Sequence, residues 1–116
     1  MTRDYSEPLD VLTRLRGVRG AMVVSGTDGV VVAESLMEGV KGRALAALTA
    51  SLAARVAQLS GDAGGGALRF FQLQASDGTL FAAPGGAGLL LVVLAERAAP
   101  VGMVRVEVLQ VAGRLS

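Results

Sequence analysis

From about Arg43 to Ser60 the chain carries its most informative helical periodicity, and that stretch constrains the rest of the fold. Leu45, Leu48, Leu52, Val56 and Leu59 recur at intervals of three, four, four and three. That spacing lines one face of an α-helix. A second set, Ala46, Ala50, Ala53 and Ala57, recurs at four, three and four. At about 100° per residue it is centred roughly 100–120° from the leucines. Ser51, Arg55 and Gln58 fill the strip that remains. The alanines could simply favour helix on a solvated face. Two apolar faces, however, call for two packing partners. We assign the leucine face to the chain's own sheet. The alanine face is assigned to a helix of a second subunit, which small residues allow to approach closely.

The segments around this helix are short apolar runs punctuated by glycine. Ser6-Glu7-Pro8 opens a short helix, with Ser6 as N-cap and Pro8 in the first turn, where its missing N–H is not needed. Leu9, Leu12 and Leu15 give it an apolar side, and Gly17 closes it. Val18–Val24 and Val30–Ala33 are strands joined across Asp28-Gly29, a strong hairpin signal. Residues 36–42 connect to the long helix, and Gly61–Gly66 form a loop after it. Leu68–Ala75 is a strand whose alternation shifts at Phe70-Phe71, which predicts a bulge or a two-sided environment. Ser76-Asp77-Gly78 turns the chain into Thr79–Ala83. Pro84–Gly88 turns it again into Leu89–Ala95, a continuous apolar run expected at the centre of a sheet. Residues 101–115 fit a strand through Val104, Val106 and Val108. They fit a helix through Val101, Val104, Val108, Val111 and Leu115, and the longer pattern favours the helix. The order is helix, two strands, helix, three strands, helix. Each strand block holds an Asp-Gly turn, a weak internal echo.

Composition removes many functions. The chain has 116 residues, room for one domain over 1–116. It has no Cys and no His. Zinc fingers, iron–sulfur clusters, disulfides, thiol nucleophiles and imidazole bases are therefore excluded. A net charge of +1 and 3% aromatics provide neither the basic patch nor the stacking platform of a nucleic-acid binder. The start, MTRDYSEPLD, lacks the basic and apolar regions of a signal peptide, so a cytoplasmic location is expected. Residues 78–95 carry no charge and are about long enough to span a bilayer. Pro84 and three glycines interrupt them, so two strands and a turn are expected, with no membrane insertion. At 52% apolar and a mean hydropathy of +0.54, the chain has more apolar surface than a small interior can hide. That excess points to an oligomer.

Three glycine clusters could be taken for phosphate loops. Ser25–Gly29 has no Gly-Lys-Ser/Thr end and is followed by a strand, not a helix. Gly85–Gly88 fails on the same grounds, and Gly61–Gly66 lies between helix and strand in the reverse order. Asp28 and Asp77 belong to turns that Asp stabilises by itself. Lys41 stands in no Ser–Lys pattern. No catalytic residue, metal site or cofactor is expected. Arg14, Arg16 and Arg19 cluster at the first helix–strand corner, as a solvated face would. Lys41, Arg43 and Arg55 lie along the long helix, within reach of a partner.

Several strings, in order, resemble the Roadblock (dynein light chain-like) family. They are Gly17-Val18-Arg19-Gly20-Ala21-Met22-Val23-Val24, Asp28-Gly29-Val30-Val31-Val32-Ala33-Glu34-Ser35, Leu89–Leu94, and Pro100-Val101-Gly102-Met103-Val104-Arg105. The match spans almost the whole chain, and the branch it resembles is the bacterial, MglB-like one. The resemblance implies an α+β sandwich: a five-stranded antiparallel sheet, one long helix on one face, two shorter helices on the other. It implies a homodimer formed by the long helices and the edge strands that follow them. It also implies a non-enzymatic regulator of a small Ras-like (MglA-like) GTPase. On these grounds Ala46, Ala50, Ala53, Ala57, Phe70, Phe71 and Leu73 are the expected dimer contacts. Arg43, Ala47, Ser51 and Arg55 are the expected GTPase contacts. The alternatives are a scaffold dimer without effect on GTP turnover, and a small-ligand sensor with a cavity lined by Leu89–Leu94.

Overall fold

A computed structural model describes residues 4–115; Met1–Arg3, the start of the polar amino terminus, and Ser116 lie outside the described residues. The elements run α1 (Ser6–Thr13), β1 (Val18–Ser25), β2 (Val31–Leu36), α2 (Gly42–Asp62), β3 (Phe71–Ala75), β4 (Gly78–Pro84), β5 (Leu89–Glu96) and α3 (Val101–Arg114). The order of elements is the one expected, and the ambiguous last segment is helical. Its Val104, Val108, Val111 and Leu115 are buried, so the 3.6-residue period outweighs the poor helix propensity of valine.

The strands form one antiparallel sheet in the order β2-β1-β5-β4-β3. The β1–β2 hairpin and the β3–β4–β5 meander meet where β1 pairs with β5, and α2 makes the connection between them. β5 is central, with Leu91, Val92 and Val93 buried, which explains its unbroken apolar run. The run 78–95 is thus β4, a turn and β5, and no helix among the described residues is long and apolar enough to cross a membrane.

Alternation along the strands separates two cores. On one face α1 and α3 bring Leu9, Leu12, Val104, Val108 and Val111 onto Ala21, Val23, Phe81, Leu91 and Val93. On the other, Ala46 and Ala50 of α2 meet Met22, Val24, Ala82, Leu90 and Val92.

Several local expectations are corrected. Ser6 does not cap α1: Asp4 Oδ1 accepts the Ser6 N–H at 2.9 Å, and the cap position is Tyr5. α2 reaches two residues further than Ser60, to Asp62. β3 begins only at Phe71, and its register with β4 is regular, without a bulge. The doublet is instead two-sided: Phe70 packs with the α1/α3 core, its ring centroid 6.4 Å from that of Phe81, while Phe71 packs with the α2 core.

The turn Gly26–Asp28 is a hairpin turn. Gly29 donates to Ser25 O, Ser25 donates to Val30 O, and Gly26 donates to Gly88 O of the β4–β5 turn. These backbone donors are already bonded inside the chain, where a phosphate cradle would leave them free.

Candidate functional site: the two flanks of the long helix

α2 is turned on its axis relative to the expected assignment. Ala46 is fully buried and Ala50 is 6% exposed, both against the chain's own sheet. Leu48 is 71% exposed and Leu59 68%. Leu45, Leu52 and Val56 are only partly covered. The face on the sheet is therefore the small one: Gly42, Ala46, Thr49 and Ala50. The cause is volume. Met22, Val24, Leu90, Val92 and Leu36 already fill the space above the strands, so only a helix with small residues can settle onto them. Two glycines tighten the seat. A Cβ on Gly29 would lie 3.0 Å from Ala47 Cα, and one on Gly42 would lie 2.5 Å from Glu34 Oε2 and 2.6 Å from Leu36 Cδ1. Glu34 thereby places a carboxylate at the N-terminus of α2, where the helix dipole favours it.

Of the residues expected at the dimer interface, Ala46 and Ala50 are corrected: they belong to the protomer's own core. Ala53 is half-buried and Ala57 exposed. Phe70 and Phe71 are half-buried on opposite faces, and Leu73 is 52% exposed on the edge strand. The leucine stripe is the apolar surface that the expectation missed. The signal for it was present in the strands, whose large residues leave no room for leucines above them.

On the flank toward β2 the helix presents Arg43, Ala47, Ser51 and Arg55, all exposed and each four residues from the next. A notch of about 280 Å³ separates Ala47, Ser51 and Ala54 from the hairpin turn Gly26–Gly29. On the opposite flank the leucines overlook the β4–β3 end of the sheet. Cross-strand register puts Leu73, Leu80 and Leu94 in one row there, and none of the three is fully covered. This row is an uncharged apolar step level with the N-terminal end of α2, where Gly42 nears Leu36, and Leu48 and Leu59 are exposed separately along the helix.

The sheet has two edges of different character. β2 is bulged between Val23 and Val24 of its partner strand and carries Glu34. Bulges and charges deter pairing with another chain. β3, Phe-Gln-Leu-Gln-Ala, is regular, has no charge and no proline, and lies beside the apolar step. Its outer backbone groups are open to a further strand.

The chemistry of the site is that of contact surfaces. Among the described residues no group of three or more His, Cys, Asp or Glu could hold a metal ion, and no buried side-chain nitrogen or oxygen lacks a hydrogen bond. Asp28, exposed in the turn, has its carboxyl held below the ordinary value, first by the Ser25 hydroxyl and then by the Val30 N–H at 3.3 Å. Of the run Leu89–Leu94, Leu91, Val92 and Val93 are packed into the two cores, while Leu89 and Leu90 line an apolar groove of about 390 Å³ beside the C-terminal half of α2.

Comparison with known proteins matches this architecture. The Roadblock/LC7 domain profile covers residues 6–95, and the chain belongs to that family. An MglB with a tetrameric arrangement superposes with a TM-score of 0.86 at 26% identity, covering 94% of this chain and 82% of that one. A Roadblock/LC7 domain from Streptomyces avermitilis gives 0.84 at 23% identity over 95% and 92% of the two chains. The gliding protein MglB from Thermus thermophilus gives 0.78 at 24% identity over 91% and 86%. A search of curated sequences finds no match.

Proposed function

We propose that this chain is a non-enzymatic, homodimeric, MglB-like Roadblock protein that regulates a small Ras-like (MglA-like) GTPase in the cytoplasm. The observation that carries the proposal is the unlike chemistry of the two flanks of α2. The leucine flank and β3 together form an uncharged apolar surface of the kind found in permanent homodimers. The dimer contacts are accordingly Leu48, Leu52, Leu59, Phe71 and Leu73 rather than the alanines. The opposite flank mixes Arg43 and Arg55 with Ala47 and Ser51, the polar and small-residue character of a surface that binds and releases a partner. Membership of the Roadblock/LC7 family and the likeness to MglB structures support the same conclusion.

The test has two arms. Light scattering at micromolar concentration should give the mass of a dimer. Small Ras-like GTPases from the source organism, purified singly and loaded with GTP, should then be assayed for hydrolysis and exchange with and without the chain. A several-fold change in either rate is expected for one of them. Arg55→Glu should weaken that partner's binding without changing the dimer mass. Binding with unchanged turnover would leave a scaffold, and no binding to any GTPase would overturn the proposal.

A further inference from the structure

We propose that the C-terminal half of α2 depends on the second copy for its order, so that the GTPase-binding strip is complete only in the dimer. This inference rests on the function proposed above and deepens it. All fully buried residues of α2 lie in its first three turns: Gly42, Ala46, Thr49 and Ala50. From Ala53 to Asp62 none is buried, and Leu59 is largely exposed.

Beneath that half lies an apolar cavity of about 390 Å³, where Ala53 and Ala57 stand above Pro84 and Leu90 without filling the space. What holds the segment within the protomer is its own helical hydrogen bonds, partial cover of Ala53 and Val56, and an end clip. In that clip Gly65 N–H donates to Ser60 O at 2.8 Å and Ser60 Oγ donates to Gly66 O at 2.9 Å. A helix of that length without a packed face is marginal in water.

The same segment carries Leu59 toward the proposed dimer face and Arg55 toward the partner face, whereas Arg43 and Ala47 sit on the anchored half. A second copy seated on Leu48 and Leu59 covers the segment and fixes Arg55 in line with Arg43. A lone protomer keeps half of the strip.

Hydrogen exchange read by mass spectrometry tests this on the whole chain. The samples are the wild type at high concentration, the wild type diluted until it dissociates, and Leu73→Lys, which alters β3 and leaves α2 untouched. Amides of residues 54–62 should exchange at least tenfold faster in the monomer, while those of residues 45–51 and of β5 hold. The GTPase that binds the dimer should bind the monomer at least tenfold more weakly. Equal protection of residues 54–62 in monomer and dimer overturns the inference while leaving the dimer standing. A wild type that is monomeric at every concentration overturns the dimer and this inference together. If Leu73→Lys exchanges globally, the dilution series alone decides.

Discussion

The hairpin turn touches the backbone of the long helix: a Cβ at Gly29 would stand 3.0 Å from Ala47 Cα. Gly29 also has φ +73°, in the left-handed region. Gly39 has φ +92° but nothing within 4 Å of an added Cβ. The pair separates backbone strain from contact. Gly39→Ala should lose about 1–2 kcal/mol, the cost of left-handed backbone for a residue with a Cβ. Gly29→Ala should lose clearly more, about 2–3 kcal/mol, because the methyl group also pushes α2 from the sheet. Urea unfolding at one fixed protein concentration measures both. Equal losses would show that α2 can move aside at no cost.

Reversal of the faces of α2 predicts a reversal of mutant behaviour. Ala46→Leu should overpack the core and lower protomer stability by about 1–3 kcal/mol. Ala50→Glu should destabilise the protomer itself, since it places a charge against Val24 and Leu90 instead of at a subunit boundary. Leu48→Glu and Leu59→Glu should leave the monomer's circular dichroism intact and raise the dimer Kd by tenfold or more, about 1.4 kcal/mol each. Sedimentation across a concentration series and thermal melts separate the two classes.

Much of this fold was legible because its signals are local. The Asp28-Gly29 turn and the uncharged run 89–95 mark their elements locally, and the stripe from Val101 to Leu115 favours helix over the strand that Val104, Val106 and Val108 also fit. The rotation of α2 was not legible. Periodicity shows that Leu45–Leu59 and Ala46–Ala57 occupy different faces, but which face meets the sheet depends on volume supplied by β1, β2 and β5. Met22, Val24 and Leu90 supply it, and they are remote in sequence. The start of β3 was obscured for a related reason: Phe70 and Phe71 serve opposite cores, which no alternation within one strand expresses. The strip Arg43, Ala47, Ser51 and Arg55, proposed to meet the GTPase, is exposed as a helical period requires.

Asp28 predicts an acid-sensitive hairpin. Its folded carboxyl titrates below the ordinary value, held there by the Ser25 hydroxyl and the Val30 N–H. A depressed folded value contributes stability that is present above the unfolded value, near 3.9, and is lost as pH falls through the folded one. Asp28→Asn should therefore flatten the fall of Tm between about pH 4 and pH 2, with little change in slope above pH 5. Asp4, held down by the Ser6 side chain and N–H, acts in the same window and will leave a residual slope. An unchanged pH profile in Asp28→Asn would remove the turn carboxylate as a cause.

Leu73 tests the choice between the two edges of the sheet. β3 offers a regular, uncharged edge, and β2 a bulged one bearing Glu34. A lysine on an edge strand deters pairing by placing a charge where a second strand would bury it. Leu73 is 52% exposed in the protomer, so Leu73→Lys should change protomer stability by less than about 1 kcal/mol. The same change should separate the dimer at micromolar concentration. Val32→Lys, at the bulge of β2 and 47% exposed, is the matched control and should leave the dimer mass unaltered. If the control dissociates the dimer and Leu73→Lys does not, the subunits meet through β2, and the leucine flank of α2 faces something other than a second copy.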